Sequence, residues 1–317
     1  MKRKSAGGER PAPWSGGFWP HPGFLGYPAG REGYRRSRVA VLPVPYEGTT
    51  CYGAGTRFGP DAIIAASKQI EPYDPRTGRD QAESLGFTTL PPLCPDVSRP
   101  ERMVAAIAAA AAPLHRAGKF VLGLGGEHTV TVGLVRAAAR RWPALCIVQV
   151  DAHADLRRSY QGSRFSHACA AARAMEELGA GPAGARLVQV GIRNISGGED
   201  AVRKAAGRRI RTFWAEEVLA DSAGAWLAEL AALVRGRDVY LSVDVDGLDP
   251  AIMPATGTPE PGGLLWQHAT ALVETVSAAG RLVAADVVEL APVPGLHAPD
   301  FLAAKLAYLI ACRARLR

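Results

Sequence analysis

The chain alternates between short apolar runs and longer segments whose apolar residues recur at helical spacing. Runs over 39–44, 85–90, 120–124, 145–150, 187–190, 210–213, 239–243 and 282–288 have the length and content of buried strands. Helical patterns cover 60–70, 100–117, 129–142, 167–178, 223–234, 267–278 and 300–315. Pro60 and Pro100 fall at helix starts, where the missing N–H costs nothing. Strands that are apolar throughout must be covered on both faces. We therefore expect an α/β protein, a three-layer α/β/α sandwich around a mostly parallel central sheet. Within 38–317 no internal repeat or Pro/Ser-rich linker intervenes, so this stretch reads as one domain.

The pattern differs before Arg38. Residues 1–37 are rich in Gly, Pro and Arg, with Trp14, Phe18, Trp19, Phe24, Tyr27 and Tyr34 interspersed. Of the net charge of +7, residues 1–38 supply +6, eight Lys/Arg against Glu9 and Glu32, which leaves +1 for 39–317. Basic residues among rings also describe a nucleic-acid contact, but no nucleic-acid module follows. We expect an extension that lays its rings on the body or on a neighbouring subunit, with no nucleic-acid partner. No apolar stretch approaches membrane-span length and no signal-peptide core is present, so no membrane association and a cytoplasmic location are expected. Five cysteines (Cys51, Cys94, Cys146, Cys169, Cys312), odd in number and without CxxC spacing, read as reduced thiols, with Cys146 in the core.

Candidate chemistry collects where the apolar runs stop. The run 145–150 empties into Asp151-Ala152-His153-Ala154-Asp155. In extended backbone, residues i, i+2 and i+4 share a face, which would group the two carboxylates and the imidazole. Gly125-Gly126-Glu127-His128 closes the run before it, and Asp244-Val245-Asp246 closes a later one. In open parallel sheets ligands bind beyond the carboxyl ends of the strands, and all six candidates lie there. Four carboxylates and two imidazoles without a thiolate suit Mn²⁺ or a similar ion better than structural zinc. Six ligands exceed what one ion needs, so two ions roughly 3.5 Å apart with shared carboxylates fit better. Two dications would balance the four carboxylates and leave a site hospitable to a cationic substrate.

These motifs resemble those of the ureohydrolases, the family of arginases and agmatinases. Gly125–His128, Asp151–Asp155 and Ser242-Val-Asp-Val-Asp-Gly-Leu-Asp-Pro250 are similar to its three metal motifs. Gly257-Thr-Pro-Glu-Pro-Gly-Gly263, Asp286-Val-Val-Glu289 and Gly55-Thr-Arg-Phe-Gly-Pro60 are similar to three further segments. The resemblance runs from about residue 39 to the end and does not cover the tail. It implies an arginase-like fold and two Mn²⁺ per subunit, with Ni²⁺ as the alternative ion. His128, Asp151, Asp155 and Asp244 would hold one ion and His153, Asp151, Asp244 and Asp246 the other. A hydroxide shared by the ions would attack the guanidinium carbon. Asp155 would orient it and pass a proton to the leaving amine, and Glu289 would pair with the guanidinium. His167, in Phe165-Ser166-His167-Ala168, is similar to the family's mobile proton-carrying histidine and would also meet substrate. Homotrimers or hexamers are the family's habit. A catalytically silent relative would be marked by lost ligands, and none of the six is missing.

The loop from Leu156 to Ser166 resembles that of agmatinases and lacks the Asn arrangement with which arginases hold an α-amino acid. The resemblance therefore implies hydrolysis of agmatine to putrescine and urea, a step of polyamine biosynthesis. Guanidinobutanoate and free guanidine stand as alternatives, because Arg157, Arg158 or Arg164, if turned inward, would favour a carboxylate tail. The remaining residues receive structural expectations. Glu127 should support the loop around His128, Asp249 and Pro250 should shape a turn, and Glu260 belongs to a loop or supports a ligand. His21, His115, His268 and His297 should pack or lie at the surface.

Overall fold

The computed structural model describes residues 23–27, 31–74, 78–178 and 186–314. Eight strands form its central sheet: β1 (Val39–Val44), β2 (Phe87–Thr89), β3 (Phe120–Gly125), β4 (Cys146–Val150), β5 (Leu187–Ile192), β6 (Ile210–Trp214), β7 (Asp238–Asp244) and β8 (Arg281–Val288). Their order across the sheet is β2-β1-β3-β8-β7-β4-β5-β6, and every neighbouring pair is parallel. Strands β1, β3, β4 and β5 are buried along their whole length, as their mostly apolar character requires.

Two helical layers cover the sheet. Pro100–Arg116, Thr129–Arg141 and Ala170–Glu177 pack on one face through Met103, Ile107, Leu134 and Ala174. Gly59–Ser67, Ala225–Val234, Trp266–Ala279 and Ala298–Cys312 cover the other through Ile63, Trp226, Leu272 and Leu306. The α/β/α expectation holds. Two expectations change in detail. The apolar run 85–90 contributes only the edge strand β2, because Gln81–Leu85 is a short helix capped by Asp80. The run before Leu178 begins as a 3-10 turn, His167–Cys169, and becomes helical at Ala170.

A helix at Gly197–Ala206 was not expected, since Val202 is its one large apolar residue. Its start is nevertheless written in the chain as a capping box. Ser196 accepts the Glu199 N–H, and Glu199 accepts the Ser196 N–H in return.

The rings before Arg38 that lie in the described residues pack on the body. Phe24 is fully buried and stacks on Phe87 at 5.7 Å, and Tyr27 lies 6.1 Å from the same ring. The Lys119 ammonium sits 4.2 Å from the Tyr34 ring centre and donates to the carbonyls of Tyr34 and Ser37. Trp14, Phe18, Trp19 and His21 lie outside the described residues. Among the described residues, no helix is long and apolar enough to cross a membrane.

Candidate metal centre and cleft

Sheet order explains how distant motifs meet. Strands β3, β8, β7 and β4 are consecutive neighbours at the middle of the sheet. Their carboxyl ends deliver His128, Glu289, Asp244 and Asp151 respectively. Register aligns them further: Val150 pairs with Val243, so Asp151 follows its strand level with Asp244, and Glu289 comes one residue after the Val288–Asp244 pair.

The turns beyond the strands are built by the aspartates themselves. Asp151 Oδ1 accepts the His153 N–H at 2.6 Å, and Asp244 Oδ1 accepts the Asp246 N–H at 2.9 Å. Each is an Asx-type bond two residues forward, the natural use of a short acidic side chain after a strand. Strand β4 stops at Val150, so simple alternation does not aim Asp155. A left-handed backbone there (φ 51°) turns its carboxyl inward, while Ala152 and Ala154 are buried away from the site. Close packing closes the floor. A Cβ on Gly126 would lie 2.0 Å from the Tyr46 carbonyl oxygen, and one on Gly247 would lie 2.7 Å from the Asp151 nitrogen.

Three carboxylates surround His128. Its Nδ1 lies 3.1 Å from Asp151 Oδ2, 3.2 Å from Asp155 Oδ2 and 3.2 Å from Asp244 Oδ2. On the other side of the ring, Nε2 is 3.1 Å from Ser242 Oγ, whose hydroxyl donates to the buried Asp286 at 2.7 Å. That chain places the hydrogen of a neutral ring on Nε2 and leaves the Nδ1 lone pair facing the acids. Nδ1 is fully buried and makes no hydrogen bond of acceptable geometry. A lone pair aimed at three carboxylate oxygens is repulsive unless a cation or a proton lies between them. His153 Nδ1 is similarly 2.9 Å from Asp246 Oδ2 and 3.7 Å from Asp151 Oδ1.

Two groups of ligand atoms result, His128-Asp151-Asp244 and Asp151-His153-Asp246, with Asp151 common to both. Asp155 approaches the first group at His128 Nδ1. The donor set therefore fits two hard or borderline dications that share a carboxylate. Without them the charges must be balanced by protons. Burial alone would lower His128, yet the three aspartates hold it well above 6.5. His153 is likewise pushed up to about 12 against its burial by Asp151 and Asp246. Burial, then the charge of Asp151, raises Asp155 to about 7.

The cleft above these ligands is lined by His153, Asp155, Asp244, Asp246, His167 and Glu289, so all three residues expected to meet substrate or protons border one space. Glu289 is buried, again with left-handed backbone (φ 65°), and its Oε1 accepts the His128 N–H at 2.7 Å. Burial and then Glu127 raise its pKa well above 4.5. His167 meets the ring of Tyr160 edge-on at 6.0 Å, and burial lowers it below 6.5.

Sequence reading missed several wall residues: Thr50, Cys51, Tyr52, Asn194, Glu199 and Thr258. Thr258 steadies a candidate ligand by donating to Asp246 Oδ2 at 3.2 Å. Of the three loop arginines, Arg157 borders the cleft, lies over Tyr160 at 4.9 Å and sits 3.6 Å from Glu199. Arg164 pairs with Glu176, and Arg158 is not among the lining residues. Glu127 serves a different segment from the one expected: its Oε2 accepts the N–H groups of Gly48 and Thr49 at 2.7 and 2.6 Å. Asp249 does shape the turn, accepting from Ala251, Gly262 and Gly263. Glu260 accepts from Asn194, and His268 accepts the Leu265 N–H at a helix start. His297 is exposed at the start of the last helix and makes no side-chain capping bond, whereas His115 is buried against Trp142.

Comparison with known proteins agrees with this geometry. The arginase family profile matches residues 37–312. A relative from a Synechocystis species, N(1)-aminopropylagmatine ureohydrolase, is 38% identical over 281 residues, 87% of this chain and 88% of the relative. The agmatinase of Bacillus anthracis is 34% identical, across 82% of this chain and 86% of its own. The crystal structure of agmatine ureohydrolase from Thermoplasma volcanium superposes with a TM-score of 0.78 at 32% identity, covering 88% and 90% of the two chains. The chain belongs to the arginase family and is a metal-dependent ureohydrolase.

Proposed function

We propose that this enzyme is a binuclear-metal amidinohydrolase that releases urea from a linear guanidino amine of the agmatine type, with Mn²⁺ as the working ion. The observation that carries the reading is the convergence of two ligand groups sharing Asp151 beneath a cleft that Glu289 borders. When bound, two dications would supply a hydroxide nucleophile at neutral pH and positive charge for the transition state.

The chain's own groups account for the rest. Glu289 is fixed by its bond to the His128 N–H and offers a carboxylate to the planar guanidinium. Asp155, buried beside His128, orients the nucleophile and carries a proton to the leaving amine. His167 on the cleft wall is the second proton carrier.

Charge does not favour a carboxylate tail. Two dications would balance the four aspartates, Glu289 is matched by the guanidinium, and Arg157 at the cleft border faces Glu199. An inward arginine alone would have favoured guanidinobutanoate, but its pairing with Glu199 removes that preference. Agmatine and N(1)-aminopropylagmatine share the guanidinium and differ only at the far end. The test is urea release from agmatine, N(1)-aminopropylagmatine, arginine, guanidinobutanoate and guanidine with Mn²⁺ or Ni²⁺ supplied. Faster turnover of either agmatine-type amine supports the reading. Faster turnover of guanidinobutanoate or guanidine would move the substrate class and leave the hydrolytic chemistry intact.

A further inference from the structure

Beyond the candidate ligands, a connected polar network in the cleft wall surrounds His167. The fully buried Glu127 side chain accepts three hydrogen bonds, from the N–H groups of Gly48 and Thr49 and from the Thr49 hydroxyl at 2.7 Å. Threonine has a single hydroxyl hydrogen. With that hydrogen committed to Glu127, Thr49 Oγ1 can only accept from its other neighbours. It lies 2.9 Å from the backbone nitrogen of His167 and 3.2 Å from Nδ1 of the ring. Nδ1 can meet that oxygen favourably only as an N–H donor. Ser166 Oγ, 3.4 Å from Nδ1, is a longer neighbour that can accept as well. A neutral ring thus keeps its lone pair on Nε2, which faces Cys51 Sγ at 3.6 Å.

We infer that Thr49 and Glu127 are positioning residues for His167: Glu127 orients the Thr49 hydroxyl, and Thr49 holds the imidazole as the Nδ1–H tautomer with Nε2 open to the cleft. The inference rests on the amidinohydrolase reading in which His167 carries a proton. In that role Nε2 accepts one of the two protons of the water consumed in hydrolysis, giving imidazolium, and delivers it to the leaving amine nitrogen. Asp155 carries the other, so the amine leaves as ammonium and the ring ends turnover unchanged. The other tautomer would present an N–H to the cleft and have no lone pair there with which to accept. Sequence reading had no access to this relay, because Thr49 and His167 are 118 positions apart and Thr49 sits in a loop.

The experiment compares Thr49→Val, which keeps the shape and removes the hydroxyl, with Thr49→Ser, which keeps the hydroxyl. Both are assayed with agmatine as metal-loaded full-length protein. Thr49→Val is expected to lower kcat by roughly 10- to 100-fold, with KM within about threefold and bound metal unchanged. Thr49→Ser is expected to restore kcat to within about threefold of the parent. If Thr49→Val does not fold, Thr49→Ala makes the same comparison. In parallel, 15N spectra of labelled histidine in Mg²⁺-loaded protein read the tautomer without any substrate. They should give Nδ1-protonated His167 in the parent and a shift toward the Nε2-protonated form in Thr49→Val. Unchanged kcat in Thr49→Val, equal losses in the Val and Ser variants, or an Nε2-protonated ring in the parent would each overturn the inference. A parent that has the expected tautomer but releases no urea from any guanidino compound would overturn the proposed function instead.

Discussion

The backbone N–H of His128 donates to Oε1 of Glu289 at 2.7 Å, tying a candidate metal ligand to the carboxylate proposed to meet substrate. The two residues are 161 positions apart, and adjacent strand ends bring them together. Glu289 holds this position with a left-handed backbone, a conformation that costs a non-glycine residue on the order of 1 kcal/mol. The bond fixes one carboxylate oxygen, so the guanidinium meets a carboxylate already oriented.

Replacing Glu289 with Gln preserves size and removes the charge. Glu289→Gln should lower kcat/KM by about 10²- to 10³-fold, as expected for loss of a charge-assisted pair in a buried setting. Steady-state kinetics at fixed metal loading check this. A kcat/KM within threefold of the parent would place guanidinium recognition elsewhere.

Asp151 belongs to both ligand groups, whereas Asp155 belongs to neither and approaches His128. Asp151→Asn is expected to lower bound metal below one ion per chain. Asp244→Asn should also lose metal, while Asp155→Asn should keep nearly two ions and lose turnover. Metal analysis paired with kcat separates these outcomes. Full occupancy in Asp151→Asn would mean that the two groups do not share this carboxylate.

His115 gives the fold a pH dependence away from the cleft. Burial lowers its pKa from 6.5 to about 4, and its ring meets Trp142 edge-on at 5.1 Å. Between those two values the unfolded chain binds a proton that the folded chain does not. The stability tied to this group is therefore complete above 6.5 and is lost as pH falls toward 4. At pH 5 the loss should reach about 2 kcal/mol. Urea unfolding at pH 7 and pH 5 should show a drop smaller by that amount in His115→Phe. Parallel pH profiles for parent and variant would show that the ring is not buried in its neutral form.

The segment before Arg38 is expected to contribute to stability more than its composition implies. Phe24 is fully buried in the core, and the buried Lys119 ammonium is satisfied by carbonyls of Tyr34 and Ser37. Phe24→Ala should cost about 3–5 kcal/mol, and deletion of 1–37 at least as much. Bound metal per folded chain should be unchanged in Phe24→Ala, since among the described residues no candidate ligand precedes residue 128. Thermal melts and metal analysis check both. A Phe24→Ala protein as stable as the parent would contradict the packing described.

The sequence was most readable where one period ruled. Eight apolar runs marked eight strands, and the six candidate ligands stood immediately beyond three of them. Elements whose start depends on a cap rather than on an apolar stripe were harder to see. Gly197–Ala206 is announced by Ser196 and Glu199 alone. The cleft wall was least visible, because Cys51, Glu199 and Thr258 lie several residues beyond any strand and meet only through the sheet order, while Asn194, two residues past β5, belongs to no ligand motif. Arg157 illustrates the limit. Its charge is plain in the sequence, but its pairing with Glu199, 42 positions away, decides what that charge means for substrate.

The central claim is that two cations held by the six residues turn the cleft into a urea-releasing site. Its most direct measurement is urea production from agmatine as metal-free protein is titrated with Mn²⁺. No release is expected without metal, and the rate should rise to a plateau near two ions per chain. Two ions bound with no urea from agmatine, N(1)-aminopropylagmatine or any other guanidino compound would contradict it.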